Sequence, residues 1–285
     1  MAVDLIAKIK SSYNQFTKAE KQVADYVLDN VKDVLFMSIT DLAEACNVGE
    51  TSVFRFCKTL ELKGYQEFKM YLSLSISEGQ EEIQQFTGKD IDSDDTILNV
   101  ANKVLNTNIV ALTETFNLIK EDDIDKTIEI FIESKRVYFF GVGASMLTAM
   151  KAMNKFLRIE NKVYCVQDSH MQAMVASTMT EDDLAIVFSH SGATKDTVHV
   201  AQVAKDAGAK IVCVTRFSKS PLSSLADVTL LTAANEGPLQ GGSTSSEISM
   251  LYIIDLLYTE YYRRSFDRLS KNNAKTSASI SEKLF

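Results

Sequence analysis

From residue 136 onward, five short apolar runs at 137–140, 163–166, 184–188, 211–214 and 228–231 recur, with helical stretches at 144–157, 171–179 and 196–207 between the first four. No other feature limits the fold as much. Short runs rich in branched and aromatic residues read as buried strands, and their alternation with helices requires a parallel sheet joined by right-handed crossovers, with helices on both faces. The link from the fourth run to the fifth, RFSKSPLSSLAD, contains Pro221 and leaves room only for a brief helix. A final helix near 245–264 closes the domain. The fold class expected here is a three-layer, flavodoxin-like α/β domain around a five-stranded parallel sheet.

In such sheets, ligands sit beyond the C-terminal strand ends at the switch point. Two polar loops fall there. The first is Gly141-Val142-Gly143-Ala144-Ser145, and the second is Ser189-His190-Ser191-Gly192-Ala193-Thr194. The second loop runs into a helical stretch, where unpaired N–H groups and the positive dipole end favour an anion. Three hydroxyls, on Ser189, Ser191 and Thr194, suit a phosphate. The same residues would also serve an ordinary turn, with Thr194 as a helix cap.

GxGxS lacks the third glycine of a dinucleotide fingerprint and there is no GxxxxGK[ST] loop, so no nucleotide cofactor is expected. Cys46, Cys57, Cys165 and Cys213 lie singly among apolar neighbours, and His170, His190 and His199 show no metal-ligand spacing. No metal site is expected. His170 follows Asp168 just beyond the second run, and Glu247 stands at the start of the last helix, where an acid suits the helix dipole. His199 is expected to be partly exposed.

Residues 5–69 are helical in period throughout. Thr17 and Glu20 form a capping box, and Ser38 or Thr40 caps a short helix whose Leu42, Ala43 and Ala45 face inward. Asn47-Val48-Gly49 then breaks the chain before a second helix from about Glu50 to Leu60. Two short helices about a glycine-containing turn match a helix-turn-helix. On the second, Val53, Phe56, Cys57 and Leu60 share one face; Ser52, Arg55 and Lys58 share another, with Thr51 at the first turn and Lys63 just beyond. That polar face either touches DNA, through Arg55 and Lys58 to bases or phosphates, or is the solvated side of a small bundle.

Residues 1–77 hold nine Lys/Arg against ten Asp/Glu, so placement matters more than sum. Arg55, Lys58, Lys63 and Lys69 cluster at and after the candidate reading helix, whereas Asp25, Asp29 and Asp33 lie on an earlier helix that can face away. With an overall net charge of −8, DNA contact would be local and would favour two copies sharing the phosphate contacts. Between 77 and 95 the sequence is acidic and poor in large apolar residues, the composition of a linker. Ser93-Asp94-Asp95 then caps a long helix with Ile97, Val100, Val104, Ile109, Leu112, Phe116 and Ile119 at its apolar positions. No apolar run approaches the roughly 20 residues that cross a bilayer, and the first residues lack a signal-peptide core, so no membrane association and a cytoplasmic location are expected.

Taken together, these residues resemble the RpiR family of bacterial transcriptional regulators, an N-terminal helix-turn-helix followed by a sugar isomerase (SIS) domain. The resemblance rests on Ile39-Thr40-Asp41-Leu42-Ala43, Ser52-Val53-Phe54-Arg55-Phe56-Cys57-Lys58 and Gly64-Tyr65-Gln66-Glu67-Phe68-Lys69, then on the two polar loops and Ser220-Pro221-Leu222 before Ala226-Asp227. It implies an all-α DNA-binding domain at 1–77, a linker at 78–95 and a SIS domain at 96–285. It also implies that Ser145, Ser189, Ser191 and Thr194 hold the phosphate of a phosphosugar, that Gly143, Gly192 and the backbone N–H of His190 belong to the same phosphosugar site, and that His170 lines the sugar pocket while Glu247 reaches a sugar hydroxyl. Gly49 departs from the family's usual Ser, and Glu61 from its usual Gly.

The expected function is a DNA-binding transcriptional regulator that senses a sugar phosphate and controls carbohydrate-metabolism genes, with operator DNA, a sugar-phosphate effector and further copies of itself, as homodimer or homotetramer, as partners. A SIS-fold isomerase or lyase is the alternative, and a non-DNA-binding adaptor the third reading. Isomerases need a placed acid and base, for which Glu236, Glu247 and His170 are the only candidates in the ligand-bearing loops.

Overall fold

The structure, a computed structural model, describes residues 5–76, 91–234, 242–281 and 283. The chain forms two compact units, one running to Ile109 and the other comprising Val110–Ala234 with Thr244–Phe285. The expected linker at 78–95 lies, as far as residue 90, outside the described residues, as does Glu236.

The first unit contains α1 (Leu5–Ser12), α2 (Lys18–Asp29), a single turn α3 (Val31–Val34), α4 (Ile39–Ala45), α5 (Glu50–Thr59) and α6 (Tyr65–Ile76). Both expected caps form. Thr17 and Glu20 make a full capping box on α2, and Ser38, not Thr40, makes one with Asp41 on α4. Thr40 instead donates to Glu50 Oε1 at 2.5 Å, tying α4 to the first turn of α5. The Glu20 carboxylate also accepts from Thr59 Oγ1 at 2.9 Å, so α2 holds the end of α5. Burial alone would raise this carboxyl's pKa, but the bonds from Thr17 and Thr59 outweigh it and lower the value. Leu42, Val53, Phe56, Leu60 and Phe68 form the fully buried core, with Phe56 between Phe16 and Phe68 at 5.1 and 5.7 Å. Ala45 is exposed, contrary to its expected inward position.

Both helices of the pair end in the same way. Val48 N–H bonds Ala43 O and Asn47 N–H bonds Glu44 O; likewise Leu62 N–H bonds Cys57 O and Glu61 N–H bonds Lys58 O. These are Schellman caps, which need a left-handed residue, and Asn47 (φ 54°) and Glu61 (φ 62°) supply it. Glu61 takes a conformation that suits glycine, and its carboxylate pairs with Lys8 at 2.7 Å.

The long helix α7 (Ile97–Asn117) starts later than expected: Thr96, rather than 93–95, offers its hydroxyl to Asn99 N–H at 3.3 Å. Asp95 instead pairs with Lys103. Then follow α8 (Glu121–Glu133), β1 (Arg136–Phe140), α9 (Ala144–Leu157), β2 (Val163–Cys165), α10 (Ser169–Ala176), β3 (Asp183–Phe188), α11 (Lys195–Asp206), β4 (Lys210–Thr215), β5 (Val228–Leu231), α12 (Thr244–Arg264) and α13 (Phe266–Ser281). The five strands are all parallel in the order β2-β1-β3-β4-β5. Alternate residues of β3 face opposite cores, as period two demands: Ile186 and Phe188 join Phe139, Phe156, Ile253 and Tyr261, while Ala185 and Val187 join Phe140, Ala201 and Cys213. This is the expected three-layer α/β fold. The last helix, α13, was not foreseen: its sequence buries only Leu269, and it is fixed instead by polar ties such as Arg268 to Glu160.

Asp183, fully buried at the start of β3, receives Arg136 through both oxygens, at 2.8 and 2.6 Å, and Thr180 N–H at 2.8 Å. Burial would raise its pKa, yet the Arg136 and Thr180 bonds hold it below the ordinary carboxylate range. A folded-state value below the unfolded one contributes stability above the unfolded pKa of about 4, and that contribution is lost as pH falls. Asp183→Asn is therefore expected to lower stability by about 1–3 kcal/mol at neutral pH. In urea titrations its gap to the parent chain should narrow as the pH is taken from 6 to 3.

Candidate functional site

β1 and β3 are neighbours, with Phe140 opposite Val187, but the chain leaves them in opposite directions. After β1 it enters α9, which packs on one face; after β3 it enters α11, which packs on the other. The divergence makes a topological switch point, and both polar loops lie at the C-terminal strand ends beside it.

Each loop depends on a glycine that admits no side chain. A Cβ on Gly141 would lie 2.6 Å from Ser145 O, so only glycine closes the turn that brings Ser145 into the first turn of α9. Gly143, at φ 60°, precedes that helix. A Cβ on Gly192, also left-handed at φ 61°, would lie 2.3 Å from Ser220 Oγ. The Gly192 carbonyl accepts Leu222 N–H at 2.9 Å, so the 220–222 segment clamps the second loop from behind. His190 is held by its carbonyl, which accepts from Arg216 N–H and Thr215 Oγ1.

The hydroxyls are left facing one another. Ser191 Oγ accepts Ala193 N–H at 3.3 Å and lies 3.5 Å from Thr194 Oγ1. Thr194 occupies the N-cap of α11 yet makes no side-chain capping bond, so the reading of it as an ordinary cap does not hold. Ser191 and Ser145 are half-buried, Thr194 is exposed and Ser189 is buried in the floor. A small anion fits this arrangement of hydroxyls and first-turn N–H groups.

His170 and Glu247 are less engaged. His170 is exposed on the first turn of α10, whose cap is Asp168, and Glu247 is half-buried on the first turn of α12. Among the described residues, no hydrogen bond joins either to the two loops. Exposed His199 matches its expectation. Two structural contributors were missed. Gln172, buried on α10, donates Nε2 to Gly141 O at 3.0 Å and pins the first loop; Ser220 buttresses the second. Ser220 stood in a recognisable motif without an assigned task, whereas a single Gln in SHMQAMVA gives no sequence signal.

In the first unit α5 presents the expected split. Val53, Phe56 and Cys57 are buried; Thr51, Arg55 and Lys58 are exposed and Ser52 is half-buried. Lys58 Nζ lies 5.3 Å from the Phe54 ring centre, and exposed Lys63 follows the helix. Lys69 does not belong with them. It is buried, donates Nζ to Met37 O at 3.1 Å and sits over Tyr65, because the α6 face that carries it packs inward.

Comparisons with known proteins agree with both halves of this geometry. The profile of the helix-turn-helix domain of the rpiR family matches residues 3–79, and that of the SIS domain matches residues 130–260. An HTH-type transcriptional regulator of Caldanaerobacter subterraneus is 33% identical over 98% of this chain and 97% of its own. The regulator HexR of Escherichia coli is 25% identical over 99% and 96%. The solved structure of Vibrio vulnificus NanR, complexed with ManNAc-6P, superposes with a TM-score of 0.86 at 28% identity, covering 98% of this chain and 99% of that one. With a helix-turn-helix whose second helix exposes a polar face and a SIS sheet whose two polar loops lie at its switch point, the chain belongs to the RpiR family of HTH-type transcriptional regulators.

Proposed function

We propose that the chain binds operator DNA through α5 and a sugar phosphate through the loops after β1 and β3, and that the second event alters the first. The observation that carries the effector site is the second loop: Gly192 is clamped by Ser220, and Ser191 and Thr194 hold their hydroxyls together at a helix start without capping it. Ser145, Ser189, Ser191 and Thr194 take the phosphate, Gly143, His190 and Gly192 give the loops their shape, and His170 and Glu247 reach the sugar. Thr51, Ser52, Arg55, Lys58 and Lys63 meet the DNA. The modules are 1–77 and 96–285, joined by 78–95, and the matched profiles at 3–79 and 130–260 support that division.

The protein acts in the cytoplasm as a homodimer or homotetramer, without a cofactor. No described helix is long and apolar enough to cross a membrane. It senses its ligand without converting it. The family's regulators favour this reading.

Thermal shift against a panel of sugar phosphates, ManNAc-6P included because NanR holds it, should give one clear stabiliser. Ser191→Ala should weaken that ligand about tenfold, the loss of one hydrogen bond to a charged group, as measured by calorimetry. Unchanged affinity removes Ser191 from the site. Isomerised product in NMR after incubation with the hit would replace sensing with turnover.

A further inference from the structure

Helix α7 carries a seven-residue repeat that is largely exposed among the described residues, with Leu112 half-buried. Leu98, Leu105 and Leu112 occupy one position of the repeat, and Asn102, Ile109 and Phe116 the position four residues on. The six therefore alternate at spacings of four and three, the a/d pattern of a coiled-coil seam, over about 27 Å of helix. An amphipathic helix ordinarily turns such a stripe toward its own core. Here Leu98 is 78% exposed, Leu105 56%, Ile109 49% and Phe116 62%. The core side is instead the face of Ala111 and Thr115, where Thr115 Oγ1 donates to Ala111 O and accepts Ala233 N–H at 2.9 Å. That tie fixes which way the seam faces.

We propose that α7 pairs with α7 of a second copy of this chain as a parallel, in-register coiled coil, with Asn102 setting the register. Two features select a second copy. Apart from Thr115, which is buried against its own chain, the positions flanking the seam hold only Asn, Ala and Thr, so two chains of net charge −8 meet there without like charges, and a strongly acidic or basic partner gains nothing. Asn102 is the single polar residue within the seam. In-register pairing sets it against its own counterpart, where two amides bond each other. Antiparallel pairing about the seam's midpoint sets it against Leu112, burying an amide with no partner. The inference rests on the self-association proposed above and assigns it a surface.

The test is sedimentation of the full chain. The parent should be a dimer or tetramer, and Leu105→Glu/Ile109→Glu should halve the assembly, raising the dissociation constant at least 100-fold with little change in melting temperature. A monomeric parent at micromolar concentration overturns self-association and this inference together. An associated parent whose assembly survives the double substitution overturns the seam alone. Independently, Asn102→Cys under mild oxidation should give a disulfide-linked dimer that the parent chain does not form. A crosslink that requires both Asn102→Cys and Leu112→Cys overturns the parallel register.

Discussion

Gly192→Ala is expected to destabilise the C-terminal unit by about 2–5 kcal/mol and to abolish effector binding. A left-handed conformation costs a residue with a Cβ about 1–2 kcal/mol, and overpacking adds about 1–3. The new methyl would lie 2.3 Å from Ser220 Oγ, 2.6 Å from Ser220 Cβ and 3.0 Å from Thr215 Oγ1, with no flexible chain end to yield. Relief requires the 220–222 segment to leave the loop, which breaks the Leu222 bond to Gly192 O and separates the hydroxyls. Gly208→Ala is the matched control. Gly208 has φ 96° and caps α11 in a Schellman motif, but a Cβ there meets nothing closer than Glu181 N at 3.6 Å. It should cost only about 1–2 kcal/mol and leave effector affinity intact. Urea denaturation and calorimetry on the two variants separate the clash from the backbone conformation; equal losses would mean that the Ser220 clamp contributes nothing.

The second large effect concerns DNA. Arg55→Ala combined with Lys58→Ala should weaken operator binding about 100-fold or more, because a base-reading arginine carries roughly 1–3 kcal/mol and a phosphate contact adds to it. The salt dependence should flatten by up to about two counterions per reading helix. Both side chains are exposed on α5 while its core face of Val53, Phe56 and Cys57 is unaltered, so the melting temperature should hold. Lys69→Ala provides the contrast: that ammonium is buried against Met37 O, so its loss should lower stability and leave the salt slope unchanged. A double variant that binds operator with parental affinity and slope would remove α5 from the interface.

The sheet, the helix caps and the last helix differ in how far the sequence specifies them. Period and punctuation were enough for the sheet, since 137–140 and 184–188 are too short and too continuously apolar for helices and each ends in a glycine-containing polar loop. They were enough for the caps at Thr17 and Ser38, which are local bonds within four residues. They failed at α13, where one buried leucine leaves almost no apolar period and the ties come from Glu160, more than a hundred residues away in sequence. Lys69 looked like part of a basic cluster because charge is visible in a sequence and burial is not.

Helix α7 shows the same division. Its apolar residues were legible, but Ile97, Ile109 and Phe116 face outward, and only packing on Ala111 and Thr115 decides which stripe is core. By itself the sequence determined the two-module order, the alternating α/β pattern and the two hydroxyl-bearing loops, because these follow from local periodicity and backbone preference. The tertiary structure alone decided that Ser220 stands behind Gly192, that Gln172 pins Gly141 and that Thr194 is not spent on its helix. The first two of these join segments tens of residues apart, and their distances depend on strand order and register, which no local pattern encodes.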